Sequence, residues 1–339
     1  MLKRENINFI KESAIFIATL IVFMILFNII YFHIFIQKKQ LYRNEIEFDS
    51  FVNSKEKNIP YLFFGSSHTK DGANPMYLNG SFNLATGGEG TFILAYYTLR
   101  KIVEVDHIKV NTLIIEIDPH ILNDRAYPEP FYIENLWYWS DFLSYTDIKN
   151  ITSLSYTDYL LQSNLYFMNG AKDLSIFFNG GKISNTFHGW SPNNENFSRN
   201  ADQEGYIDQY YKVTFKNTNS SLNPLGSDYL LKTLKLAQKN NIKIIFIKYP
   251  LSPGYIKRIQ ESGFNLTDYY NNIITLCNKS NIRFQILDYQ EVFTDNSIFG
   301  DPGHLNVEGS KIITNKIRED LEGKNKSISE LKFVFNQDK

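Results

Sequence analysis

A serine, a histidine and an aspartate in distant parts of this 339-residue sequence are the residue types that nucleophilic catalysis requires. Ser67 stands in the segment GSSH, directly after the apolar run YLFF. His304 stands in the segment FGDPGHLN, with Asp301 shortly before it. A serine hydroxyl becomes a nucleophile when a base lies within hydrogen-bonding reach and a third group orients that base. The three residues therefore predict a triad for acyl-transfer or ester-cleavage chemistry.

Both segments also have simpler interpretations. A polar turn between a strand and a helix often contains serines that cap the helix, and GSSH fits that description. The segment DPG can be a turn before a helix that Asn306 caps. A further alternative treats GSSHTKDG as a phosphate-binding loop. That alternative lacks the glycine–lysine spacing of a P-loop, and it leaves DPGHLN without a purpose.

Acyl chemistry also requires hydrogen-bond donors that point at the developing oxyanion. The segment ATGGEG at residues 85–90 follows a weak strand and precedes a helical pattern, and its glycines present backbone N–H groups without Cβ obstruction. We therefore predict an oxyanion hole formed by the backbone N–H groups of Gly88, Gly87 and Ser67.

The elements that must position these residues alternate along the chain. Four short apolar runs have strand length and are rich in β-branched or aromatic residues, as expected of strands buried on both faces. A weaker strand is FNLA at 82–85, and amphipathic helical patterns lie between the runs. The alternation predicts an α/β fold with a parallel sheet, helices on both faces and a site at the carboxyl ends of the strands. The four runs are YLFF at 61–64, LIIEI at 113–117, IKIIFI at 242–247 and IRFQIL at 282–287.

The N-terminal region differs in kind from the rest of the sequence. Residues 14–36 contain no Asp, Glu, Lys or Arg, and their number matches a helix that crosses ~30 Å of hydrocarbon. Bulky residues end this segment, where a cleaved signal peptide would have small ones. We predict a transmembrane anchor at 14–36, after a short segment at 1–13 and before a polar stalk at 37–57. Basic residues are balanced across the anchor, so they do not set its orientation.

Composition limits the classes of partner. With 35 basic and 36 acidic residues and a net charge of -1, the chain has no overall field that would attract nucleic acid. The single cysteine, Cys277, has no partner for an internal disulfide or a zinc site. We therefore predict no nucleic-acid partner, no cofactor and no metal.

The order of these segments resembles the SGNH (GDSL-type) hydrolase superfamily, over about residues 58–119 and 226–322. The resemblance implies a flavodoxin-like three-layer fold with strand order 2-1-3-4-5, Ser67 as nucleophile, and Asp301 and His304 as the rest of the triad. It gives an SGNH-like domain at 58–322 with an aromatic-rich insertion at about 120–225, followed by a charged tail at 323–339.

Two positions depart from the superfamily's pattern. Ser66 stands where an aspartate is usual, and the segment EIDPH at 116–120 replaces the third block. The side-chain donor of that block, an asparagine, is missing, so a replacement must come from the backbone or the insertion. His68 and His120 lie near the expected mouth of the site, where a catalytic role would need geometric support.

The anchor and the GSS block are similar to envelope proteins that work beside membrane-bound O-acyltransferases, such as the D-alanyl transfer protein of teichoic acid modification and the alginate O-acetylation proteins. This implies an N-terminus inside, a catalytic domain outside, and a membrane-bound O-acyltransferase as a partner. It also implies a cell-envelope polysaccharide to which O-acetyl groups are transferred or from which they are removed. Trp137, Trp190 and His188 in the insertion are candidates for sugar binding, although aromatic clusters also form ordinary packing or protein contacts. The alternative function is a non-catalytic binding or scaffold subunit.

Overall fold

The structure is a computed structural model that describes residues 2–34, 40–85, 91–123, 143–152, 154–165, 187–190, 192–215 and 218–323. The chain divides into two compact units. One contains Met1–Glu45 and Tyr132–Ile183, and the other contains Ile46–Phe131 and Ser184–Lys339.

The second unit is built on a parallel sheet of five strands within the described residues. The strands lie in the order β2-β1-β3-β4-β5, and every neighbouring pair is parallel. This confirms the predicted α/β fold and its flavodoxin-like strand order. The strands are β1 Asn58–Phe64, β2 Ser81–Asn83, β3 Lys109–Glu116, β4 Lys243–Lys248 and β5 Gln285–Asp288.

The central strands are buried because their apolar runs face helices on both sides of the sheet. Phe63 and Phe64 of β1, Ile114 of β3 and Phe246 of β4 are at most 1% exposed. Such continuous apolar runs without polar alternation are typical of strands covered on both faces. The burial fixes the register of each strand. The register in turn fixes where β1, β3 and β5 end, and so where the loops after them begin.

Eleven α-helices are described. In the second unit they begin with α2 Gln40–Ser54, which starts in the first unit, and continue with α3 Ser67–Gly72 and α4 Thr91–Arg100. A π-helical turn, Lys101–Val105, extends α4. The later helices are α7 Gln203–Thr214, α8 Pro224–Lys239, α9 Pro253–Glu261, α10 Leu266–Lys279 and α11 Val307–Leu321.

Side chains cap the helices that border the carboxyl edge of the sheet. The Ser66 side chain accepts from the N–H of His68 at the start of α3. The Asn306 side chain accepts from two N–H groups at the start of α11. Capping satisfies donors that have no partner inside a helix and fixes where the helix starts. The capping role foreseen for these segments therefore exists alongside their place in the site described below.

The first unit contains α1 Leu2–Ile34, α5 Tyr145–Ile151 and α6 Tyr156–Asn164. Within α1, Phe9–Ile34 is long and apolar enough to cross a membrane. The Thr19 hydroxyl donates to the carbonyl of Ile15 at 2.8 Å, and the Asn28 side-chain amide donates to the carbonyl of Asn164 at 3.0 Å. The two polar groups are thus hydrogen-bonded, as an apolar environment requires.

The region predicted as a stalk differs from the prediction. Residues 40–54 form α2, and its second half carries buried apolar side chains, Phe48, Phe51 and Val52. The rings of Phe48 and Phe51 lie 5.0 and 5.3 Å from the ring of Phe82 in β2. This packing arises because apolar residues recur at helical spacing within a polar sequence. Residues 46–54 therefore belong to the second unit.

Candidate active site

The turn after β1 brings Ser67 to the carboxyl edge of the sheet. A Cβ at Gly65 would lie 2.1 Å from Thr69 Oγ1 and 2.5 Å from Glu116 Oε2, so only glycine fits there. Ser66 caps the next helix, and Ser67 is the first residue of that helix. Because the first N–H groups of a helix have no acceptor within it, the backbone N–H of Ser67 is available to a ligand.

Glu116, at the end of β3, holds this turn in place. Its side chain is fully buried and accepts from the backbone N–H and the hydroxyl of Ser66, at 2.8 and 2.6 Å. It also accepts from the backbone N–H and the hydroxyl of Thr69, at 3.1 and 2.6 Å. Burial acts to raise the pKa of Glu116, while these hydrogen bonds lower it, and the net shift is upward. The segment that looked like a departure from the family pattern therefore supports the turn that carries Ser67.

The loop before α11 forms a hydrogen-bonded unit around Asp301. Its Oδ1 accepts from the backbone N–H groups of Gly303 and His304, each at 2.8 Å. Its Oδ2 lies 2.7 Å from Nδ1 of His304. The Pro-Gly turn between the acid and the base thus folds the loop so that one carboxylate binds both backbone and imidazole.

Ser67, His304 and Asp301 lie together as a hydrogen-bonded chain. Nε2 of His304 is 2.7 Å from Oγ of Ser67. The side chains of His304 and Asp301 are each 15% exposed, so a substrate can reach them while solvent is largely excluded. The structure brings together the three residues that the sequence placed at opposite ends of the chain, in the order nucleophile, base and orienting acid that acyl chemistry needs.

The electrostatic environment of these three residues favours an ionised aspartate beside a basic imidazole. Burial acts to raise the pKa of Asp301, but the hydrogen bonds and charge of His304 outweigh it, and the pKa falls below its usual value. Burial acts to lower the pKa of His304, but Asp301 outweighs it, and the pKa rises above its usual value. With Asp301 ionised, Nδ1 of His304 carries the proton, and Nε2 is free to accept the proton of Ser67.

Two residues that sequence reasoning missed also contact the triad region. The hydroxyl of Tyr210 in α7 lies 3.2 Å from Nδ1 of His304, and a Cβ at Gly303 would lie 2.6 Å from that hydroxyl. Asp71 in α3 is near His304, and burial raises the pKa of its carboxyl to about 6. Tyr210 comes from the insertion, so the insertion contributes directly to the site. Tyr210 lies in no recognisable motif, and nothing in the segment GSSHTKDG singles out Asp71, which is why sequence reasoning missed them.

His68 and His120 form a second polar network beside the triad. Nδ1 of His68 lies 2.8 Å from Oδ2 of Asp118, and Nε2 of His120 lies 2.7 Å from Oγ of Ser66. The ring of His68 lies 4.2 Å from that of His120 and 4.9 Å from that of His304. Burial lowers the pKa of His68 to about 4 and that of His120 well below its usual value, so both rings are neutral at physiological pH.

Four side chains of this network have the chemistry of metal ligands. Their nearest ligand atoms all lie within 4.8 Å of one another. A tetrahedral ion with ligands at ~2.1 Å would need them closer together. Each of these side chains already has a hydrogen-bond or ion-pair partner at 2.6–3.4 Å, so an ion would have to replace those contacts. The arrangement fits a hydrogen-bonded network better than a metal site. The four residues are His68, Glu116, Asp118 and His120.

Of the other predicted site residues outside the triad, only Trp190 and His188 are among those that the structure describes. Gly87, Gly88 and Trp137 fall outside the described residues, so their predicted roles remain predictions. Trp190 is 7% exposed, and its indole N–H donates to the carbonyl of Asp71 at 2.9 Å. That is a packing position, the alternative left open for the aromatic cluster.

His188 lies against β2 and α2. Its ring stacks on that of Phe82, and its backbone N–H donates to the Glu47 side chain. None of its contacts among the described residues is with the triad.

The sheet order, the strand directions and the site define the class: an α/β protein with Ser67, His304 and Asp301 hydrogen-bonded at the carboxyl edge. The chain belongs to the family described as "Protein of unknown function (DUF1574)", whose family model matches residues 15–311.

No curated protein matches the chain. Among solved structures, it is similar to a candidate acylhydrolase from Bacteroides fragilis, at 14% identity and a TM-score of 0.34 over 79% of this chain and 88% of that chain. It is also similar to a GDSL-like lipase from Bacteroides thetaiotaomicron, at 13% identity and a TM-score of 0.33 over 80% of this chain and 90% of that chain. The fold class rests on the sheet order and strand directions themselves.

Proposed function

We propose that this protein is a membrane-anchored, SGNH-type serine O-acyltransferase or esterase that acts on cell-envelope polysaccharide. The observation that carries the proposal is the unbroken chain of contacts from Ser67 Oγ through His304 to Asp301, with both distances at 2.7 Å. A polar turn or a helix cap would require neither contact. The strand order of the sheet and the buried support of the turn by Glu116 agree with this role.

The first step transfers an acyl group to Ser67. The bond between Oγ and the ester carbonyl carbon forms while the hydroxyl proton passes to Nε2 of His304. Asp301 stabilises the imidazolium that results, and it remains ionised because its other oxygen accepts two backbone N–H groups. The bond between the carbonyl carbon and the leaving oxygen then breaks, and His304 returns the proton to that oxygen.

The second step releases the acyl group to an acceptor. A water molecule or a sugar hydroxyl gives its proton to His304 as its oxygen bonds to the carbonyl carbon. The bond from that carbon to Ser67 Oγ breaks, and the proton returns to Oγ. Hydrolysis and transfer share the same acyl-enzyme and differ only in the acceptor, so the nature of the acceptor site decides between them.

The apolar helix Phe9–Ile34 supports the membrane part of the proposal. An anchor of this length holds the enzyme at a surface where envelope polysaccharide is within reach. We propose a single pass through the cytoplasmic membrane, with the N-terminus inside and the catalytic domain on the outer side. A membrane-bound O-acyltransferase is the proposed partner, as the supplier of the acyl group.

Pre-steady-state hydrolysis of an aryl acetate by the full-length protein in detergent tests the chemistry. We expect a burst of one phenol per chain, because the acyl-enzyme should form faster than it breaks down and therefore accumulate. Ser67→Ala should remove the burst and lower kcat by about 10⁶-fold. Ser198→Ala, at an exposed serine, should leave both unchanged.

Acylation of envelope polysaccharide in cells tests the biological role. Ser67→Ala at normal protein level should abolish the modification that the wild-type protein supports. If the modification persists in these cells, the chain acts as a non-catalytic binding or scaffold subunit.

A further inference from the structure

A second histidine–carboxyl pair lies next to the proposed nucleophile. His68 follows Ser67 directly in α3, and Asp118 follows β3. The His68 side chain is 3% exposed and that of Asp118 is fully buried. Oδ1 of Asp118 accepts from the backbone N–H of Tyr249 at 3.1 Å, while Oδ2 faces Nδ1 of His68 at 2.8 Å. The buried Asp118 carboxyl group therefore holds the His68 ring at its Nδ1 atom.

The other ring nitrogen of His68, Nε2, has no hydrogen-bond partner in the part of the chain that the structure describes. Because Asp118 holds Nδ1, Nε2 lies on the far edge of the ring. The ring is packed edge to face against His304, at 4.9 Å between centroids. His304 in turn contacts Ser67 Oγ. A ring nitrogen that has no protein partner and lies beside a nucleophile is available to a ligand atom.

Whether Nε2 donates or accepts depends on which buried carboxyl group holds a proton. Glu116 and Asp118 are both fully buried and close together, so ionising both is unfavourable. Glu116 accepts four hydrogen bonds from Ser66 and Thr69. Asp118 accepts one from the backbone. The carboxyl group with more donors is the one that stays ionised, which leaves the proton on Asp118.

The pKa directions agree with this assignment. Burial raises the pKa of Asp118 well above its usual value, and the N–H of Tyr249 and the charge of Lys248 only partly offset it. A protonated Asp118 donates to Nδ1 of His68. The neutral imidazole then carries its own proton on Nε2.

His120 has the opposite orientation. The one hydroxyl proton of Ser66 goes to the ionised Glu116, at 2.6 Å, so Nε2 of His120 must donate to Ser66 Oγ. Nδ1 of His120, which has no hydrogen-bond partner among the described residues, therefore carries no proton. Of the two imidazoles beside the triad, only His68 presents a donor.

We propose that the Nε2–H of His68 is a side-chain donor of the oxyanion hole, held in its donor form by protonated Asp118. The inference rests on the proposed function, because it names a further residue for the same reaction. As the Ser67 Oγ–carbon bond forms, the carbonyl oxygen gains negative charge, and Nε2–H donates to it without transferring its proton. A neutral buried donor is suited to this task, since it loses little water when the charge develops.

Two substitutions at position 68 separate this role from a structural one. Asparagine has an amide at the position of Nδ1, so His68→Asn keeps a partner for Asp118 and removes the donor at Nε2. Glutamine has an amide nitrogen close to the position of Nε2, so His68→Gln restores a donor there. We expect His68→Asn to lower kcat for an aryl acetate by ~10²–10³-fold, the usual effect of losing one oxyanion donor, with KM nearly unchanged. His68→Gln should recover about tenfold or more of that loss.

The reverse order, with His68→Asn active and His68→Gln impaired, would show that the contact with Asp118 matters rather than the donor, and would overturn the proposal. Equal and near-wild-type rates for both variants would also overturn it. His107→Asn, at an exposed histidine, is the matched control. Melting temperatures of all variants identify any that fail to fold. If His68→Asn fails to fold, the kcat of His68→Gln relative to that of wild type serves as the test.

Metal analysis of the purified full-length protein provides an independent measurement. We expect no stoichiometric metal and full activity after treatment with EDTA. One equivalent of zinc per chain that is lost from His68→Asn would overturn the proposal and assign the four-residue network to a metal site. If wild type shows no burst that depends on Ser67, the proposed function fails. If that burst is present but insensitive to His68→Asn, only this inference fails.

Discussion

Two histidine–aspartate pairs flank Ser67, and they differ in how the protein solvates the carboxyl group. Asp301 accepts two backbone N–H groups besides facing His304, and its side chain is 15% exposed. Asp118 accepts one backbone N–H and is fully buried. The pKa of Asp301 is lowered, whereas that of Asp118 is raised well above its usual value. The same two residue types therefore produce a base in one pair and a hydrogen-bond donor in the other.

The neighbours of a carboxyl group decide which imidazole nitrogen carries the proton. In the pair with Asp301, the imidazole presents a bare nitrogen to the Ser67 hydroxyl. In the pair with Asp118, it presents an N–H. Residue identity alone does not distinguish the two outcomes, because both depend on burial and on the count of backbone donors.

The largest expected effect comes from removing the base. His304→Gln should lower kcat for an aryl acetate by ~10⁶-fold, because Ser67 then has no group to take its proton. Steady-state hydrolysis measures the loss, with His107→Gln at an exposed position as control. A loss smaller than about a hundredfold would show that another group serves as base and would remove His304 from that role.

Substituting the two aspartates by asparagine should lower kcat to different extents. Asp301→Asn should lower kcat by ~10⁴-fold, because an amide that donates to Nδ1 forces the proton onto Nε2 of His304. Asp118→Asn should cost roughly tenfold or less, since its amide donates to His68 as the protonated acid does. Equal losses in the two variants would contradict the assignment of opposite proton positions.

Glu116→Gln should destabilise the fold by about 2–3 kcal/mol, because the carboxylate accepts four donors in a fully buried position. The free energy of unfolding in urea gives this value. Glu308→Gln, at a side chain that is 60% exposed, should change it by less than ~0.5 kcal/mol. Similar values for the two variants would show that the turn before Ser67 does not depend on Glu116.

The smallest effect concerns pH. His304 must be neutral to act as a base, and its pKa is raised above the ordinary 6.5. The value of kcat/KM should therefore fall as pH decreases, with a midpoint above pH 6.5. In Asp301→Asn the residual activity should have its midpoint at lower pH, because the carboxylate that raises the pKa is gone. A midpoint that does not move would assign the titration to another group, such as Asp71.

Much of the fold followed from the sequence because apolar runs and helical stripes report burial directly. The runs at 61–64, 113–117, 242–247 and 282–287 each contain or overlap a strand of the parallel sheet. Ser67 and His304 could be assigned to one edge because carboxyl ends of parallel strands share an edge. The packing of Phe48 and Phe51 on β2 was missed, because a short amphipathic stretch in polar surroundings resembles a stalk.

The finer parts of the site could not be predicted in the same way. Tyr210 reaches His304 from an insertion whose path no periodic pattern indicates. The segment EIDPH looked like the loss of a motif, although Glu116 supports the Ser67 turn and Asp118 holds His68. Such roles depend on which backbone donors surround each side chain. Only the folded chain determines those contacts.

Reaction of the full-length protein with a fluorophosphonate, followed by mass spectrometry of its peptides, tests directly whether Ser67 is an activated nucleophile. We expect one adduct per folded chain, on the Ser67 hydroxyl, because His304 lies 2.7 Å from that oxygen and can take its proton. Ser67→Ala and His304→Gln should lose the adduct, and Ser198→Ala should keep it. A folded protein in which Ser67 stays unmodified, or in which another residue takes the label, would show that Ser67 is not the nucleophile.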